Sequence, residues 1–218
     1  MGHFPNLPRG SPVKHQAIMD AAMRVFLREG FARASMDAIA AEAGVSKRTV
    51  YNHFADKERL FISVFEAILD AVVTDFDASV EETLGDSDDL HRDFIALARR
   101  WVRLFLREDA AALRRLVIAE AVHHPSLMGA WVQAGALRVQ DRVEGLLARL
   151  ADRGKLEVAD PFRAAQQLTL LITTPAQQIS QFGTVPLTDA QVDDIVVPNV
   201  EMFLRAYEPR AERRDEAW

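Results

Sequence analysis

The chain has 218 residues, 49% of them hydrophobic and 27% charged, with no cysteine and a formal net charge of −6. The apolar content suffices for a packed core, and the missing cysteines exclude disulfides, cysteine–zinc sites and thiol catalysis. No apolar run reaches the ~20 residues of a spanning helix, and MGHFPNLPRG lacks a signal-peptide core and, with Asn6, a myristoylation pattern, so a cytoplasmic protein without a membrane partner is expected.

The hydrophobic period is helical almost throughout, which predicts an all-α fold of about nine helices and no sheet. The first ten residues read as an arm. Ser11-Pro12 opens the first helix, whose stripe is Ile18, Ala21, Ala22, Val25 and Phe26, and Gly30 ends it. Ser35 caps a short second helix with Met36, Ile39 and Ala40 inward, closed by Gly44. Ser46 caps a third, through about Phe54. Asp56 caps a long fourth, carrying Phe61, Val64, Phe65, Ile68, Leu69, Val72 and Phe76 at three- and four-residue spacing.

A polar break, Gly85-Asp86-Ser87-Asp88-Asp89, precedes a fifth helix marked by Leu90, Phe94, Leu97, Trp101 and Phe105. Leu113 to Val122 is apolar nearly all round and reads as a buried sixth helix. His124-Pro125-Ser126 breaks it, and a seventh runs from about Ser126 to Asp152. Asp160-Pro161 starts an eighth with Pro175 inside, where a kink is expected. Thr188 and Gln191 have capping-box spacing for the ninth.

Residues 35–60 read SMDAIAAEAGVSKRTVYNHFADKERL, two short helices joined at Ala43-Gly44-Val45. This is a helix-turn-helix layout. Val50 and Phe54 face inward, while Ser46, Lys47, Arg48, Thr49, Asn52 and His53 lie on or near the outer side of a helix that a major groove admits. Arg48 has the two-pronged geometry that pairs with one guanine. Ser35, Thr49, Tyr51, His53 and Lys57 carry donors suited to phosphates, Ser35 and Lys57 at helix N-termini. Charge agrees: residues 1–60 sum to +3 and residues 61–218 to −9, a basic head on an acidic body.

Elsewhere, chemistry is sparse. His123 and His124 are adjacent, so on a helix they point about 100° apart and make a poor metal pair. Glu120 reads as a partner for Arg114 or Arg115 or as an anchor for a ligand. No Gly-rich phosphate loop, GxSxG, HExxH or acidic cluster is present, and Tyr51 with His53 lacks a nucleophile. Neither catalysis, metal nor cofactor is expected.

AxxAGVSKRTVYNHFxxKExL, at residues 40–60, resembles the DNA-binding signature of the TetR family of bacterial repressors, and the likeness covers about residues 12–61. It implies a TetR-like fold in which residues 1–56 form an arm and DNA-binding domain and residues 57–218 a ligand-binding and dimerisation domain. It places Ser46, Lys47, Arg48 and Thr49 at the base-reading start of the third helix. Tyr51, His53 and Lys57 fall at family backbone contacts, and the arm, with Arg9 and Lys14, adds a possible one.

LRRLVIAEAVHHPSL, the Gly154-Lys155-Leu156 turn and Asp160-Pro161-Phe162-Arg163-Ala164-Ala165 are similar to the C-terminal region of the AcrR/AefR-like branch, many of whose members respond to lipophilic compounds. The implied partners are double-stranded operator DNA, a second copy of the chain, and a small lipophilic effector of unknown identity that releases a repressor from a palindromic site. The implied pocket draws on Phe65, Leu69, Phe94, Trp101, Phe105, Trp131 and Gln177. The eighth and ninth helices are apolar on more than one face, so Leu168, Leu171, Ile172, Ile179, Ile195 and Phe203 are the expected dimer contacts. An all-helical enzyme or a protein–protein adaptor is the alternative.

Overall fold

A computed structural model of the chain describes residues 11–84 and 89–209, with the backbone alone at Ala134. The expected arm with Arg9, most of the polar break at residues 85–88 and Trp218 lie outside the described residues. Ten α-helices and one π-helical turn fill the described residues, with no strand among them. They are α1 (Pro12–Glu29), α2 (Met36–Glu42), α3 (Lys47–His53), α4 (Lys57–Leu84), α5 (Leu90–Phe105), α6 (Glu108–Glu120), α7 (Pro125–Trp131), α8 (Leu137–Asp152), α9 (Pro161–Ile179) and α10 (Asp189–Tyr207).

The tenth helix arises where one long helix was expected. Between α7 and α8 the backbone widens into a π turn, Val132–Ala136. Gly135 sits in this turn, and a Cβ there would stand 2.7 Å from Leu69 Cδ1, so the glycine admits the leucine where any side chain would displace it. Such an insertion leaves no hydrophobic signature, because the residues on either side continue the apolar stripe.

Helix starts follow the capping residues. The Ser35 and Ser46 hydroxyls accept from Ala38 and Thr49 backbone N–H groups, both at 3.1 Å. Asp56 does the same for Arg59 at 2.8 Å. Asp89 and Asp160 cap α5 and α9, and Thr188 and Gln191 form a complete capping box at α10. Each accepts one of the N–H groups that a helix start leaves unpaired. Pro175 and Pro198 both lie within their helices. The sixth helix departs from expectation: it begins five residues earlier than Leu113, and Ile118 and Val122 are exposed, so it is not buried all round.

Packing divides the chain into two units. One comprises the residues up to Ile68 with Ala112–Val132, the other Leu69–Ala111 with the residues from Gln133. In the first, Ile18, Ala22, Val25 and Phe26 of α1 are buried with Ile39, Val50, Leu60 and Phe61. Phe26, Phe31 and Phe61 meet with ring centroids 5.1–5.9 Å apart, a separation at which edge and face contacts are favourable. The core of the second unit joins Phe76, Phe94, Trp101, Val143, Leu147, Leu168, Ile172, Val196 and Phe203.

Candidate DNA-binding site

The reading surface starts from one turn. Gly44 has φ +65°, a left-handed conformation that costs glycine little, and lets the chain reverse between α2 and α3. With Val50 and Phe54 buried, the opposite side of α3 presents Lys47, Arg48, Tyr51 and Asn52 to solvent, beside exposed Ser46 and half-buried Thr49. Burial of the apolar pair therefore orients the polar set. Arg48 takes part in no ion pair among the described residues.

Several of the expected contact residues have their polar atoms engaged. Ser46 Oγ and Thr49 Oγ1 hydrogen-bond to each other at 2.8 Å. Lys47 Nζ lies 2.8 Å from Asp37 Oδ1, and this neighbour raises its pKa above the usual lysine range. His53 sits against His15, their ring centroids 5.7 Å apart. Burial, then His15 and Lys14, push its pKa below the usual histidine range. Its Nδ1 is buried without a hydrogen-bond partner among the described residues.

Lys57 differs most from expectation. Its ammonium donates to the carbonyl oxygens of Phe31 at 2.7 Å, Ala34 at 3.0 Å and Ala32 at 3.1 Å, and lies 4.6 Å from the centre of the Phe31 ring. An ammonium has three N–H bonds, so all are used inside the protein and none is left for phosphate. Burial lowers its pKa, opposed by the charge of Glu120. Glu120 itself accepts from the Ala32 N–H at 3.4 Å, and His124 packs edge-on to Phe31 at 4.8 Å. Lys57 and Glu120 thus hold the loop that delivers Ser35 to the start of α2. His123 and His124 lie just beyond the end of α6, in the turn before α7, and no group of three metal-binding side chains occurs among the described residues.

Sequence reading missed the acids that organise this surface. Glu42 bridges Arg24 and Arg28 of α1, at 2.9 and 3.3 Å, and the Arg24 guanidinium holds its carboxyl below the usual range. Asp37 pairs with Lys47. Only charge alternation signalled them, and one sequence does not say which charges meet.

The expected effector and dimer residues fall in both units. Phe65 and Trp131 belong to the first unit, Leu69 touches the π turn, and Gln177 and Phe105 are half-buried in the second unit. Phe94 is stacked on Phe203 at 6.3 Å and Trp101 is edge-on to Phe76 at 5.3 Å, both as core. A small cavity in the second unit lies among Val80, Leu84, Leu146, Leu150, Arg149 and Arg153, with about 40 Å³ of free volume. That holds a few waters, not a drug-sized ligand, and none of the expected pocket residues lines it.

Leu168, Ile172, Ile195 and Phe203 are buried in the core of their own subunit and have no surface to offer a second copy. Leu171 packs against that core, and Ile179 is exposed. The long helices spend their apolar residues inward first, because burial within the chain needs no partner.

A short polar helix presented on a buried hydrophobic scaffold, after a glycine turn and a capped companion helix, defines a helix-turn-helix DNA-binding protein. Comparison with known proteins makes this specific. The pattern of bacterial regulatory proteins of the tetR family matches residues 18–64, and that of the AefR-like transcriptional repressor C-terminal domain matches residues 93–209. The chain belongs to the TetR family and is a transcriptional regulator.

Among curated proteins it is 29% identical over 179 residues to the HTH-type transcriptional regulator RutR of Escherichia coli K12, covering 80% of this chain and 77% of that one. A crystal structure of a TetR-family regulator from Mesorhizobium loti superposes with a TM-score of 0.82 at 30% identity, over 92% of this chain and all of the other. The flavonoid-responsive regulator FrrA gives 0.75 at 28% identity, over 92% and 100%. Regulators of this family bind operator DNA and act as dimers. No helix among the described residues is long and apolar enough to cross a membrane.

Proposed function

We propose that the protein is a repressor that grips a palindromic operator as a homodimer, with residues 1–56 reading DNA and residues 57–218 dimerising and binding a small lipophilic effector that releases it. The observation that carries the reading is the orientation of α3: Val50 and Phe54 are buried while Lys47, Arg48, Tyr51 and Asn52 face water. In this reading Arg48 bonds a guanine edge and Asn52 an adenine or phosphate. Tyr51 and His53 Nε2 hold backbone phosphates, with Ser35, Ser46 and Thr49 at the helix starts. Lys57 contributes by fixing the loop before α2.

Dimerisation is supported by large apolar side chains that α9, α10 and their connection leave outside: Leu170 at 62% exposure, Met202 at 50%, Ile179 at 46% and Phe182 at 45%. A two-fold contact through this face buries them and pairs two reading helices, which successive major grooves accept roughly 34–36 Å apart or at a multiple of that. A lipophilic effector is supported by the AefR-like C-terminal domain and by the flavonoid response of the similar regulator FrrA.

The test begins by selecting duplexes with the full-length protein from a random pool. An inverted repeat protected at dimer stoichiometry, and released by a flavonoid or fatty-acid-like compound as tryptophan emission changes, is expected. Protection by a monomer, or emission changes without release, would remove the dimeric or the ligand-released part of the reading.

A further inference from the structure

Asp37 stands on the surface where DNA is to lie. It is the second residue of α2, and its carboxylate accepts from Lys47 Nζ at 2.8 Å through Oδ1 and 3.0 Å through Oδ2. Both side chains are more than half exposed, so water competes with the pair and its return in fold stability is small. Its effect on ligand binding is larger. Lys47 and Arg48 are the two cations on the exposed side of α3; one is tied to an acid and the other is not. A lysine on phosphate gives affinity for any sequence, whereas a guanidinium on a guanine edge gives preference for one.

We propose that Asp37 is a specificity-determining residue: by holding the Lys47 ammonium it withholds a sequence-blind phosphate contact and so widens the gap between operator and ordinary DNA. The inference rests on α3 being the reading helix. In a loosely held, non-specific complex every free cation contributes, and tethering Lys47 removes one. In the operator complex Arg48 fixes the register. Losing the carboxylate therefore adds a sequence-blind cation to the loose complex, while the register-fixing contact of the tight one is unchanged. Elevation of the Lys47 pKa by Asp37 fits this tether.

The experiment measures anisotropy of the full-length protein on a duplex that the wild type selected from a random pool and on a scrambled duplex of equal length, across a salt series. Asp37→Asn is expected to tighten scrambled binding about threefold or more at low salt, to steepen its salt slope by about one, and to lower the ratio of selected to scrambled affinity. In a Lys47→Ala background the same change is expected to leave scrambled binding unaltered, because the tethered cation is gone.

An equal gain on both duplexes, no gain on either, or the same gain without Lys47 would overturn the proposal, the last by assigning the effect to the general field of an acid near DNA. If Asp37→Asn lowers the melting temperature, Asp37→Ser, which suits a helix first turn, takes its place with the same expectations. Arg48→Ala separates the two levels. If it lowers selected binding while Asp37→Asn changes nothing, only this inference fails; if it too changes nothing, the reading helix itself is misassigned.

Discussion

At α3 and its C-cap two apolar side chains, Val50 and Phe54, are buried while Lys47, Arg48, Tyr51 and Asn52 stand in water. On α9 and α10 the large apolar residues outnumber the inward positions, so Leu168, Ile172, Ile195 and Phe203 are core while Leu170, Ile179 and Met202 remain outside. The α3 helix has seven residues and one narrow stripe, which leaves one way to turn it. The other two have nineteen residues each and apolar side chains around much of their circumference. Their sequences name the residues that are apolar without naming those that a second chain covers. A short helix is oriented by its own pattern, and a long, broadly apolar one by what is packed around it.

The largest effect that would sharpen this contrast is at Phe203. A carboxylate placed there is buried against Phe94 and Tyr207, and Phe203→Glu is expected to cost more than about 4 kcal/mol and to abolish cooperative unfolding. Leu170→Glu with Met202→Glu changes the same pair of helices on the outside. That double variant should keep helical content and melting temperature but sediment as a monomer and lose the operator. A folded Phe203→Glu protein, or a dimeric outer-face variant, would break the distinction between core and interface.

Lys57→Ala tests the head from within. Three carbonyls lose their donor, and about 1–3 kcal/mol of stability should go with it. Operator affinity should fall in step with the disordered loop, while the salt slope stays that of the wild type. A slope shallower by about one would instead restore Lys57 as a phosphate contact. Arg48→Ala should leave the fold untouched and cost about 1–3 kcal/mol on the selected operator, with preference relaxed at one base pair. Equal losses on every sequence would remove its base-reading role.

The smallest effect is a pH dependence. The folded pKa of His53 lies below the ordinary histidine value, first through burial and then through His15 and Lys14. Its contribution to stability is therefore fully present above about pH 6.5, the unfolded value, and is lost as pH falls through the lower folded value. Wild type should lose slightly more melting temperature than His53→Gln between neutral and mildly acid pH. An identical acid response in both proteins would show that the buried imidazole carries no such linkage.

Much of the fold was legible in the sequence because helix ends are local. Ser35, Ser46, Asp56, Asp160 and Thr188 cap helices through hydrogen bonds to residues three positions away, and no tertiary partner is needed. The polar side of α3 followed equally from the spacing of Val50 and Phe54.

Pairings across the chain were decided only in three dimensions. Lys57 looked like a phosphate ligand from its position at a helix start, yet its three donors turn to a loop more than twenty residues earlier. Asp37 with Lys47, and Glu120 with the Ala32 N–H, join residues that no period connects. The break between α7 and α8 is a π turn in which Gly135 lies against Leu69, a contact that no period announces. A sequence states what each residue can offer within a turn or two of helix. Which charges meet, and which of two apolar faces is left for a partner, depends on the distance between helices, and only packing sets that.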